Sequence, residues 1–145
     1  MAQSSVQHIN SLSTFESFIS RNPVVIVDFF ATWCGPCKSI APYFEELARK
    51  TPSIKFVKVD VEEGADIAGK YSVHSMPTFI LFKNGSEFDR FSGADRTKLL
   101  SFTQVSGGGQ PHRLHEEQNK MSMMRTVAAI VIIFVTVFVV SKLMK

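Results

Sequence analysis

Residues 24–50 read "VVIVDFFATWCGPCKSIAPYFEELARK", two periodicities that meet at a pair of cysteines. The first seven residues are a continuous apolar run broken only by Asp28, the pattern of a strand covered on both faces. From Cys37 onward the period changes. Ile40, Phe44, Leu47 and Ala48 recur at helical spacing, and Pro42 falls inside that pattern, where a kink is expected. Cys34 and Cys37, at the junction, are the only two cysteines in the chain.

Working outward, "IKFVKVDV" (54–61) reads as a second strand and "ADIAGKY" (65–71) as a short helix. "TFILFKNGSEFDRFSG" (78–93) gives two strands about Asn84-Gly85, a dipeptide suited to a tight hairpin. "DRTKLLSFTQV" (95–105) follows as an amphipathic helix with Asp95 as its N-cap. Upstream, "VQHI" is a weak strand and "LSTFESFIS" a helix. A strand-helix-strand unit followed by a hairpin and a last helix implies an α/β fold, a mixed central sheet with helices on both faces.

A chain of 145 residues supports one domain of ordinary size. Residues 1–105 carry eleven Lys/Arg and eleven Asp/Glu, so their net charge is zero. The whole +3 comes from Arg113, Lys120, Arg125, Lys142 and Lys145 set against Glu116 and Glu117. The basic balance therefore belongs to the tail, and residues 1–105 hold no basic cluster that would suggest a nucleic-acid partner. The start, "MAQSSVQHINSLS", lacks a basic segment followed by an apolar one, so no secretory signal is expected. The domain is then expected in a reducing compartment.

Three readings of the cysteine pair compete. Zinc needs four ligands, and His8, His74, His112 and His115 are isolated or lie beyond the domain. A structural staple is disfavoured by the compartment, and a loop closed over two residues removes little chain entropy. The working-dithiol reading uses every neighbour. Cys34 opens a helix, where unpaired N–H groups and the positive dipole end favour a thiolate. Cys37 stands one turn on, within reach of a mixed disulfide formed at Cys34. Gly35 permits the tight entry, and Pro36 presets a helical φ without removing a needed donor. Trp33, if not core packing, shields an exposed Cys34 sulfur and flanks substrate. Asp28, inside an apolar strand, should hold its proton more tightly than usual, with Lys58 as the neutralising alternative.

"VDFFATWCGPCK" (27–38), together with Asp28, Lys58, "MPT" (76–78), "LFKNG" (81–85) and Gly93, resembles the thioredoxin family over about residues 6–105. The resemblance implies a thioredoxin fold and a reductase of protein disulfides, with Cys34 and Cys37 alternating between dithiol and redox disulfide. It implies that Cys34 attacks, Cys37 resolves, and Asp28 with Lys58 manages the proton. Trp33, Gly35, Pro36, Met76, Pro77 and Gly93 would flank the substrate, Pro77 after a cis peptide bond and Met76 through its backbone edge. No cofactor would be bound; electrons would come from NADPH through a thioredoxin reductase, and clients would be disulfide-containing proteins. The sequence departs from the family at Phe30, where some members carry a second Trp. His74 reads as a solvated loop residue, and Asn84-Gly85-Ser86 as a hairpin rather than a glycosylation site. A redox-dependent binding module remains the alternative function, and the Gly-Pro dipeptide argues against a luminal oxidase or isomerase.

The remaining chain divides into a polar, Gly-rich linker (106–122) and an apolar segment (123–144). "VAAIVIIFVTVFVV" (127–140) contains eleven Val, Ile or Phe and no charge. At about −0.3 to −0.6 kcal/mol each, those residues favour bilayer insertion by very roughly 3–7 kcal/mol. Fourteen helical residues span about 21 Å against about 30 Å of hydrocarbon, so Arg125 and Lys142 must snorkel. The sequence therefore suggests a C-terminal transmembrane helix, a single-pass tail anchor in the lipid bilayer with the domain facing the cytosol. A short, basic-flanked span favours the mitochondrial outer membrane, with the endoplasmic reticulum as alternative.

Overall fold

The computed structural model describes residues 6–105. Five strands and four helices follow in the order β1 (Val6–His8), α1 (Leu12–Arg21), β2 (Val24–Phe30), α2 (Gly35–Lys50), β3 (Lys55–Asp60), α3 (Ala65–Lys70), β4 (Thr78–Lys83), β5 (Ser86–Ser92) and α4 (Arg96–Gln104). The single sheet has the order β1-β3-β2-β4-β5. β1, β3 and β2 run parallel, and β4 and β5 join antiparallel.

That order dictates where the helices lie. The path from β1 to β2 passes over β3, whereas the path from β2 to β3 returns in the opposite direction. Both crossovers are right-handed by the usual chain chirality, so α1 and α2 must cover opposite faces. The two cores agree. Alternate sheet residues Ile26, Phe56, Phe79 and Leu81 pack with Ile40, Phe44 and Leu47 of α2 and Leu99 and Phe102 of α4. Their neighbours Val25, Val27, Phe29, Val57, Val59, Ile80 and Phe82 pack with Phe15 and Ile19 of α1 and Ile67 of α3. β2, the middle strand, is buried on both sides, which is why its sequence is an unbroken apolar run rather than an alternation.

Local signals account for the connections. Asn84 and Gly85 both have positive φ, 50° and 79°, as a two-residue hairpin turn of this hand requires. Asp95 caps α4 by accepting from the N–H groups of Thr97 and Lys98 at 2.9 and 3.1 Å. Pro42 is contained within one continuous α2. A register shift between Leu81 and Phe82 in the β4–β5 ladder has no counterpart in the alternation of the sequence. The linker expected over 106–122 and the membrane segment expected over 123–144 lie outside the described residues, as do positions 1–5. Among the described residues no helix is long and apolar enough to cross a membrane.

Candidate active site

The β2-to-α2 junction is the chemical centre. Cys34 is the N-cap of α2, with extended backbone (φ −80°, ψ 111°), and its Sγ accepts the Cys37 N–H at 3.2 Å. A sulfur at a helix start thus receives one of the donors that the first turn leaves unpaired, which favours the thiolate. Gly35 and Pro36 form the opening of the helix. A Cβ added at Gly35 would meet nothing within 4 Å, so the glycine is not imposed by local crowding. In this structure the two cysteines are joined by a disulfide with Cα atoms 5.3 Å apart.

Both cysteines are largely recessed, Cys34 at 5% and Cys37 at 3% exposure, packed with Ala31 and against Phe30, Val61 and Met76. This corrects the expectation of an exposed Cys34 sulfur: the α2 start and the Met76 loop close around it. Trp33, in contrast, is 65% exposed, which removes its core-packing alternative. Its indole N–H donates to Glu62 Oε1 at 3.0 Å. Glu62, just beyond β3, was not singled out by the sequence. An acidic residue in a loop carries no signal until the fold brings it to the indole.

Met76-Pro77 is a cis peptide bond, as the resemblance implies. The Pro77 carbonyl accepts the Gly93 N–H at 2.8 Å, and Gly93 adopts φ 99°, a conformation open to glycine. The Thr78 hydroxyl lies 2.7 Å from the Ser92 hydroxyl and donates to the Ser75 carbonyl, fastening the same corner. Met76, Pro77 and Gly93 are therefore one assembly, and Met76 packs against the cluster that holds the cysteines. His74 is exposed.

Asp28 lies beneath this surface. Cys37, Ile40 and Phe44 share one face of α2, and Ile26 and Asp28 alternate onto the sheet face that this helix covers. Asp28 is fully buried, and among the described residues no group hydrogen-bonds either carboxyl oxygen. Burial pushes its pKa from 3.8 up to about 7, while the positive charge of Lys58 pulls in the opposite direction. Lys58 is its direct register partner on β3. No group of three or more His, Cys, Asp or Glu placed to hold a metal occurs among the described residues.

The chain matches the family model described as Thioredoxin over residues 6–105. It is 48% identical over 94 residues to thioredoxin 1 of Plasmodium falciparum, an overlap covering 65% of this chain and 90% of that protein. Thioredoxin-1 of Saccharomyces cerevisiae is 47% identical over 90 residues, covering 62% and 87%. Among solved structures, oxidised thioredoxin of Plasmodium falciparum superposes with TM-score 0.66 at 45% identity, covering 71% of this chain and 99% of that one. Fasciola hepatica thioredoxin gives TM-score 0.66 at 44% identity, covering 68% and 97%. A match that spans the whole described fold, cysteine junction included, means that this chain belongs to the thioredoxin family and is a protein-disulfide oxidoreductase acting through Cys34 and Cys37.

Proposed function

We propose that the protein is a membrane-tethered reductase of protein disulfides. Thioredoxins in general act on disulfide-bearing proteins and are returned to the dithiol by thioredoxin reductase. The reading adds a direction, residue roles and a location. The observation that carries it is the recessed Cys34–Cys37 pair at a helix start, with a fully buried carboxyl, unpartnered among the described residues, on the sheet face that this helix covers.

In the reducing direction the Cys34 thiolate attacks one sulfur of a client disulfide. A Cys34–client bond forms, and the other client sulfur leaves as a thiolate. The Asp28 carboxylate then takes the Cys37 proton. The resulting Cys37 thiolate attacks Cys34 Sγ, closing the Cys34–Cys37 disulfide and releasing the second client thiolate. Two electrons pass to the client, which takes up two protons. Lys58 compensates the Asp28 charge during the transfer. Trp33, Gly35, Pro36, Met76, Pro77 and Gly93 form the surface on which an extended client segment rests, with Met76 offering its backbone edge. Electrons come from NADPH by way of the reductase.

The tether rests on residues 106–145. A Gly-rich linker and a fourteen-residue apolar run with basic flanks support a tail anchor, with the mitochondrial outer membrane favoured over the endoplasmic reticulum. Two experiments test the proposal. Insulin-disulfide reduction by the full chain with NADPH and a thioredoxin reductase should be abolished in Cys34→Ser, and Cys37→Ser should accumulate mixed disulfides with many proteins. Wild-type turnover by Cys34→Ser would end the catalytic reading, and capture of a single partner would favour a binding module. A fluorescent reporter fused to residues 106–145 should mark mitochondria. Reticular signal would move the address, and diffuse signal would remove the anchor.

A further inference from the structure

One side of the sheet carries an uninterrupted transverse row. His8, Lys58 and Asp28 are successive register partners across β1, β3 and β2, and Phe79 of β4 continues the row. Phe30, two residues beyond Asp28, points to the same face. The Lys58 ammonium lies over the Phe30 ring, 4.8 Å from its centroid. The His8 imidazole meets that ring in a T-shaped contact, centroids 6.1 Å apart and planes at 89°. Lys58 is only 9% exposed as a residue, and neither Asp28 oxygen accepts a hydrogen bond from its ammonium. An ammonium on the strand beside a buried carboxylate, its direct register partner, is placed to pair with it. Here the electron-rich face of Phe30 engages it instead.

We propose that Phe30 is a positioning residue for the resolving step, its ring holding the Lys58 ammonium off Asp28 so that the carboxyl remains a proton acceptor. The proposal rests on the role assigned above to Asp28. Other titratable groups on this face are Asp60 on β3, whose carboxylate accepts the Glu62 N–H at 2.9 Å, His8 on β1, and Cys37 on α2, which is disulfide-bonded here. β4 contributes the apolar Phe79. Of the two carboxylates near Lys58, Asp60 already has a hydrogen-bond donor, whereas Asp28 has none. An ammonium released from the ring is free to approach Asp28, its direct register partner, where an ion pair lowers the carboxyl pKa and blunts it as a base.

Titration of ¹³C-labelled aspartate carboxyls by NMR, in the oxidised full-length chain, reads this directly. Phe30→Leu should lower the Asp28 midpoint by about one pH unit, and Phe30→Trp, which restores an aromatic face, should leave it in place. Lys58→Met should raise the midpoint, and Phe30→Leu added to Lys58→Met should produce no further change. An unchanged or raised midpoint in Phe30→Leu overturns the proposal. So does an equal shift in Phe30→Trp, or one that persists without Lys58, because either would place the effect in packing alone. These midpoints are independent of turnover. The assigned role of Asp28 is tested separately by Asp28→Asn, which should slow release of the mixed disulfide; if that variant resolves at the wild-type rate, the role fails whatever the midpoints show.

Discussion

Asp28→Asn should make the oxidised domain more stable at high pH than at low pH, relative to wild type. The sign follows from the raised pKa. Below 3.8 the carboxyl is protonated whether the chain is folded or not, so it contributes no pH dependence. Between 3.8 and about 7 the unfolded chain has lost the proton while the folded chain retains it. Stability therefore falls as pH rises through that window and levels off above it. The gap of 7 minus 3.8 is about 3 units, and at 1.36 kcal/mol per unit the penalty reaches about 4 kcal/mol by pH 8. At pH 4 it is only about 0.5 kcal/mol. Asparagine removes this titration, but its buried amide adds a constant cost of about 1–3 kcal/mol because Asp28 has no hydrogen-bond partner. The informative quantity is thus the change in ΔΔG between pH 4 and pH 8. Urea unfolding of residues 1–105, with the disulfide intact, should give a change of about 4 kcal/mol in favour of the variant. Parallel stability curves, with a change below about 1 kcal/mol, would show that Asp28 titrates near its ordinary value and refute the reasoning.

Gly64→Ala should destabilise the domain by about 1–3 kcal/mol, because a Cβ there would lie 2.9 Å from Val59 Cγ1 and 3.1 Å from the Asp60 carbonyl oxygen; an unchanged urea midpoint would contradict this. Asp95→Ala should cost about 1 kcal/mol through loss of the α4 cap, and Asp95→Asn should recover most of it. Removing residues 106–145 should leave reduction of a soluble disulfide substrate unchanged while slowing that of a membrane-bound one, and loss of both activities would refute a modular tether. Replacing Lys142 and Lys145 by Ser should move a mitochondrial tail reporter toward the endoplasmic reticulum, as imaging would show.

The elements were legible because each carries its own short-range signal. Strand β2 is apolar throughout, α2 repeats Ile40, Phe44 and Leu47, Asn84-Gly85 selects a hairpin, and Asp95 supplies a cap. Cys34 at a helix start was equally visible, since a helix N-terminus is a local event and its dipole acts on whatever residue caps it. The burial of Asp28 could be anticipated from its apolar neighbours in the same strand. Contacts between residues distant in the chain had no such signal. The indole of Trp33 finds Glu62 across twenty-nine positions, and Gly93 reaches back to the Pro77 carbonyl. Cys34 is recessed because Met76 and Val61 pack beside it, which no property of residues 33–38 encodes. The same holds for Lys58 over Phe30: each was singled out by itself, but nothing in the sequence joined them, and their meeting depends on the parallel register that pairs β2 with β3. Sequence periodicity states which face a side chain takes, whereas the identity of its neighbour is settled only when strands from separate parts of the chain align.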